Sequence, residues 1–316
     1  MRTLAAAFVV GLFLAIAPQS AAQGGPRQFV LTWGSYGVGP GLFDRPVAVA
    51  ANSVGEVYVG DSRQSYIQRF SPDGHLLGMC LNQGEAIALA VDPRTDRVFA
   101  SDPHGLGVQV YSRDLVHITG WNGSPWGGVG VAYGIAIGPT GDLYIAGGAG
   151  HSIARWTQDG SLIQRWADPG PGPGQLRSAW GIAVDAAGFV YVSEYAGSRV
   201  VKFTADGQYV TAWGSLGSGP GQFASPTNIG IDPTGIAVVA DPYNDRIEEF
   251  TLDGGFLAAW GTPGQAAGQL DEPYGVTVSG SNVYVADASN SRIQKFGYLP
   301  TAVRRATWGS VKILYR

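Results

Sequence analysis

Residues 273–296 read PYGVTVSGSNVYVADASNSRIQKF, three short strands joined by two tight turns. Residues 274–278 alternate, and VYVAD (283–287) and RIQKF (292–296) are the second and third strands. Gly280-Ser281-Asn282 and residues 288–291 are turn formers between them. The same three-strand phrase recurs along the sequence. Its second strand ends at Asp61, Asp102, Gly147, Glu194, Asp241 and Asp287, so the period is 41 to 47 residues. Third strands follow in step, ending at Phe70, Tyr111, Trp156, Phe203, Phe250 and Phe296, and fourth strands end at Cys80, Trp121, Trp166, Trp213 and Trp260.

Six units of four antiparallel strands predict an all-β fold, a single six-bladed β-propeller over residues 29–300. One blade cannot bury both faces of its sheet, whereas blades packed around an axis bury them all. The repeated aromatics of the third and fourth strands are read as packing between blades. Cys80 takes the place of a tryptophan in that series and is expected to be an inert, buried thiol. FVLTW (29–33) copies a fourth strand without the three that should precede it, so it is expected to complete the last blade and close the ring. RATWGS (305–310), in the tail 301–316, is the other candidate for that slot.

The 48 glycines and 19 prolines in 316 residues would suggest disorder, but the sequence is 45% hydrophobic and 11% aromatic. The glycines are therefore turns between many short strands. Residues 1–22 carry Arg2, an apolar run from Ala5 to Ala17 and a small-residue end at Ser20-Ala21-Ala22. This is the pattern of a cleavable export signal, too short to span a membrane. A secreted or periplasmic protein without a membrane span is expected. The single cysteine excludes an intramolecular disulfide. Removal of Arg2 takes the net charge from −4 to −5, against a nucleic-acid partner. A monomer is expected.

The repeat resembles the NHL family, whose pattern runs G-x-F, P-x-G-V-A-V-D, V-Y-V-A-D and N-x-R-I-x-x-F. The fullest copies are GPGQFASPTNIGIDPTGIAVVADPYNDRIEEF (219–250) and GQLDEPYGVTVSGSNVYVADASNSRIQKF (268–296), and the first unit keeps GPGLFDRPVAVAANSVGEVYVGDSRQSYIQRF (39–70). Units two and three depart from it, with Gly147 and Ser152 replacing the Asp and Arg of unit three. The resemblance implies a propeller. It spans protein-binding, RNA-binding and metal-dependent lyase members, so function must be argued from the site.

On the face formed by the loops between strands two and three, two chemistries offer themselves. Asp61, Asp102, Glu194, Asp241 and Asp287 ring that face and have the hard oxygens that suit a cation. In units four to six each also has an arginine (Arg199, Arg246, Arg292) to pair with, which reads as loop capping, and Asp61 and Asp102 are left as the acids without one. His104 and His151 lie on neighbouring loops and, with Asp102, are the candidate metal ligands. No cofactor is predicted from the motifs, and Ca²⁺ or Zn²⁺ are the ions such a set would take. The GPGQ runs at Gly172 and Gly219 have no following helix and are turns. The second chemistry is aromatic: Tyr195, Tyr243 and Asn244 on those loops, Trp180 and Tyr274 (with Tyr133 and Asn228) opening innermost strands, and Trp126 on the glycine-rich loop 122–132. Such residues grip peptides or stack on sugars, although Trp180 is equally placed for packing between blades. No catalytic motif is present. The expected function is an exported binding or scaffold module for a protein, peptide or glycan, the alternative being a metal-dependent lyase or lactonase at the channel mouth.

Overall fold

The computed structural model describes residues 26–298, apart from 83, 103–106, 122–131 and 148–150, and for Asp102 only the backbone. Among the described residues there are 24 strands in six four-stranded antiparallel sheets, with one short 3-10 turn at Pro242–Asn244. Blades one to five occupy residues 46–81, 88–121, 132–166, 179–213 and 229–260, each with its strands in sequence order from the axis outward. Blade six takes three strands from 273–297 and its outer strand from Gln28–Trp33, with Phe29 opposite Phe296 and Trp33 opposite Ile293. The ring therefore closes through the N-terminal strand, as FVLTW implied. RATWGS lies outside the described residues. No helix among those residues is long and apolar enough to cross a membrane.

Burial follows from the ring. Second strands such as Val190–Glu194 are buried at every position, which explains their continuous apolar runs. Fourth-strand tryptophans pack on the third-strand aromatics of the next blade: Trp33 on Phe70, Trp121 on Trp156, Trp213 on Phe250, Trp260 on Phe296. Cys80, half-buried and not fully enclosed as its place in the series suggested, packs against the cluster that holds Tyr111, and burial raises its thiol pKa to about 11. Several of the tryptophans also lie under the following hairpin turn. A Cβ at Gly74 would meet Trp33 at 2.9 Å, and its φ of +80° already excludes most side chains.

Four of the loops entering a blade make a tight clasp, marked by isolated parallel bridges: Tyr36 with Phe43, Pro169 with Leu176, Leu216 with Phe223 and Pro263 with Leu270. Phe43, Leu176, Phe223 and Leu270 are fully buried. Gln175 and Gln222 accept the amides of Gly172 and Gly219, so the GPGQ runs are turns. Blades two and three, the irregular units, have no such bridge among the described residues.

Ring closure is locked by charge. Arg27, one residue before the closing strand, is buried, and its guanidinium reaches Asp232 and Glu249 of blade five at 2.6 Å each. Glu249 also accepts the Trp260 indole N–H at 2.8 Å, and the Arg27 guanidinium lies 4.7 Å from the Tyr298 ring centre.

One position repeated on the third strands carries a pH dependence. Gln68 and Gln294 each bridge a clasp loop: Oε1 accepts Gly41 or Gly268, and Nε2 donates to Leu42 or Gln269. Blade five has Glu248 there. Its Oε1 accepts Gly221 N–H and faces Arg246 Nη2, both at 3.2 Å, but its Oε2 is buried without a partner. Burial outweighs the arginine and raises its pKa from 4.5 to about 7. The folded state holds this proton more tightly than the unfolded polypeptide, so the contribution is complete below about pH 4.5 and is lost as pH rises through 7. Glu248→Gln restores the amide donor. It is expected to stabilise the protein at pH 8 by about 1–3 kcal/mol, the cost of an unmet buried acceptor, with the gain shrinking towards pH 4.5. Urea titrations at both pH values decide this, and a gain that is equal at both would be wrong for the proposed cause.

Candidate functional site

The face carrying the loops between strands two and three surrounds the mouth of the central channel. One residue per blade forms its rim: Val47, Ile87, Tyr133, Trp180, Thr227 and Tyr274. Their placement has a backbone cause. The pairing of first and second strands slips between Pro46 and Ala48, Ala132 and Gly134, Ala179 and Ile182, and Pro273 and Gly275. Val47, Tyr133, Trp180 and Tyr274 stand in these bulges, which turn a side chain off the sheet and towards the axis. Glycine follows each aromatic because the blades nearly touch here. A Cβ at Gly134 would lie 2.2 Å from Trp180 O, and one at Gly275 would lie 2.4 Å from Val47 O.

The aromatics form a continuous arc. Tyr133 stacks on Trp180 at 4.8 Å and 6°, and Tyr195 stacks on Trp180 at 4.5 Å and 20°. The indole thus lies between two phenol rings, and its edge, not its face, meets the cavity. Tyr274 lies 6.2 Å from Trp180. Tyr195 and Tyr243 share a hydroxyl–hydroxyl hydrogen bond of 2.9 Å. Burial first, and the contact with Tyr243 second, raise the pKa of both Tyr195 and Tyr274, so both stay neutral hydrogen-bonding phenols at physiological pH.

Among the described residues, Arg45, Ser62 and Asn228 complete the lining. Arg45 Nη2 donates to Glu272 Oε2 at 2.7 Å, and its guanidinium sits 4.9 Å from the Tyr274 ring centre. The cavity is about 170 Å³. Arg45 was not among the residues the sequence pointed to. Its ion partner lies 227 positions away, and nothing local marks it.

The other expected residues fall as follows. Asn244 is absent from the lining. Its Nδ2 donates to Gly217 O and Asp241 Oδ2, as Asn290 Nδ2 does to Gly264 O and Asp287, so it shapes a loop. Glu194, Asp241 and Asp287 are buried and pair with Arg199, Arg246 and Arg292. Those arginines donate onward to the clasp carbonyls of Gln175, Gln222 and Gln269, which is the capping role. Asp61, left without an arginine by its sequence, is not free: it accepts the backbone amides of Asp44, Arg45 and Arg63. Trp126, His104 and the Asp102 side chain lie outside the described residues. His151 has φ +51° and a buried Nδ1 without a partner. Among the described residues no three His, Cys, Asp or Glu side chains meet as a metal site.

Comparison with known proteins agrees with this architecture. Residues 270–296 match the family described as NHL repeat. The sixth blade is an NHL repeat. Similar solved structures include a structural genomics protein of unknown function from Bacteroides thetaiotaomicron VPI-5482, at TM-score 0.70 and 18% identity over 86% of this protein and 76% of that one. A streptogramin B lyase gives 0.63 and 14% over 86% and 98%. Virginiamycin B lyase from Staphylococcus aureus gives 0.60 and 15% over 81% and 96%. At these identities the likeness is one of fold. No curated protein matches the sequence.

Proposed function

We propose that this protein is an exported binding module whose channel mouth receives an apolar group of a peptide or protein. The observation that carries this reading is the rim itself: one bulged or equivalent residue from each blade encloses a mainly apolar cavity walled by phenols on one side and Val47 and Ile87 on the other. Apolar clefts with a few fixed polar groups are the usual form of a binding site. The stacked Trp180 argues against a sugar platform, because both faces of the indole are already covered. Export rests on residues 1–22.

The test is capture of a random hexapeptide library on immobilised protein, read by mass spectrometry. Wild type is expected to enrich a sequence class with a hydrophobic anchor, and Trp180→Ala with Tyr274→Ala is expected to lose that enrichment. Undiminished enrichment by the double variant would remove the mouth from consideration, and enrichment of a glycan panel instead would reassign the ligand. A second reading, a metal-dependent lyase or lactonase using Asp102, His104 and His151, is favoured by the unpartnered His151 Nδ1 and by the lyases among the similar folds. Thermal melts of the same protein separate the two. A rise with Ca²⁺ or Zn²⁺ that EDTA reverses favours the lyase.

A further inference from the structure

We infer that the group taken at the channel mouth carries a carboxylate on its apolar body, and that Arg45 receives it; this rests on the binding reading above. Among the described residues, Arg45 is the one charged side group lining the cavity. Only Nη2 of its guanidinium has a carboxylate partner, Glu272 Oε2, and that oxygen also accepts the Ser289 hydroxyl. Nε and Nη1 form no hydrogen bond with a described residue and are not buried. With Nη2 engaged by Glu272, the remaining N–H groups can each give a carboxylate a single charge-assisted hydrogen bond.

The Arg45 guanidinium is also held in place before any ligand arrives. The ion pair with Glu272 ties it to the loop entering blade six, the Tyr274 ring lies under it, and the Arg45 backbone N–H is bound by Asp61. A donor fixed at the edge of an apolar cavity loses little freedom on binding, and the cavity partly excludes water, so a charged hydrogen bond there counts for more than one in solvent. Glu272 would repel a ligand carboxylate placed beside it, but it occupies Nη2. The Nε and Nη1 donors remain for the ligand. Two sources share this chemistry: the C-terminus of a peptide ending in a hydrophobic residue, and a free small apolar acid.

The test compares N-acetyl-phenylalanine with N-acetyl-phenylalaninamide by isothermal calorimetry on the full mature protein. The acid is expected to bind about tenfold tighter than the amide, the difference expected of one charge-assisted hydrogen bond. Arg45→Gln is expected to reduce the acid-to-amide ratio to about one, and Arg45→Lys to recover part of it. A purely structural arginine would shift the melting temperature of these variants without changing the acid-to-amide ratio. Equal binding of the two probes by wild type, a preference that survives Arg45→Gln, or no binding of either probe at millimolar concentration would each overturn the inference. Trp180→Ala and Val47→Trp, which open and fill the cavity, separate this from failure of the site. If both probes bind these variants as they bind wild type, the mouth is not the site. If both are lost but show no acid preference in wild type, only the role of Arg45 falls. The tripeptide Ala-Ala-Phe then distinguishes the sources: tighter binding than N-acetyl-phenylalanine supports a peptide C-terminus, and equal binding supports a free acid.

Discussion

Arg27→Ala is expected to destabilise the propeller by about 3–5 kcal/mol, because it leaves two buried carboxylates without their cation. Asp232 and Glu249 each lose a 2.6 Å ion pair, and neither is near enough to solvent to recover hydration. For a domain of this size the melting temperature should fall by about 10 °C, at roughly 2–4 °C per kcal/mol. Arg27→Met is expected to be nearly as harmful, since the problem is charge and not volume. Adding Asp232→Asn and Glu249→Gln to Arg27→Met should return much of the loss, because the amides retain the local acceptors for Thr234, Ile236 and Trp260 without the burden of unpaired charge. The measurement is chemical unfolding of all variants. A loss below about 1 kcal/mol in Arg27→Ala would mean that the pair is not a lock. Hydrogen exchange supplies the second observation: the amides of the Gln28–Trp33 strand should lose protection first, since that strand lies at the edge of its sheet and pairs with one neighbour, residues 293–297.

Gly134→Ala is expected to cost about 2–4 kcal/mol and to abolish ligand capture at the mouth. The added Cβ would sit 2.2 Å from Trp180 O and 3.2 Å from the Ile182 amide nitrogen, so blades three and four must separate. Overpacking against backbone accounts for about 1–3 kcal/mol, and disruption of the Tyr133–Trp180 stack for about 0.5–1.5 more. The control is Gly78→Ala. Gly78 lies on an outer strand, where an added methyl would have no heavy atom within 4 Å, and its φ is ordinary, so stability there should be unchanged or slightly improved. Urea midpoints of the two variants test the contrast. Similar midpoints would show that the close approach of the first strands is not what requires glycine at position 134.

The blade count, the phase of the strands and the closing strand could all be read from the sequence. Each is specified by a short pattern that recurs: VYVAD-type second strands, aromatic third-strand ends, and FVLTW as a fourth strand in search of a sheet. Repetition also separated the structural acids Glu194, Asp241 and Asp287 from functional ones, since each carries its arginine five residues later. The aromatic residues of the mouth were legible as a set, because Tyr133, Trp180 and Tyr274 open equivalent strands. Their geometry was not. The bulges that aim them, and the sandwich that covers both faces of Trp180, arise from how closely neighbouring blades approach. Asn244 looked like a ligand contact because a loop amide and a loop-capping amide are the same residue in sequence.

Arg45, Arg27 and Glu248 mark the boundary most clearly. Arg45 meets Glu272 across 227 positions, and Arg27 meets Asp232 and Glu249 across 205 and 222. Glu248 reads as an ordinary strand carboxylate until burial strands its second oxygen. Local periodicity and turn chemistry, which depend on neighbours a few residues apart, determined the propeller from sequence alone. Which charges are buried, which are paired and which face the channel was decided only when the ring closed, because those pairings occur once each, between distant segments, and leave no repeating trace in the sequence.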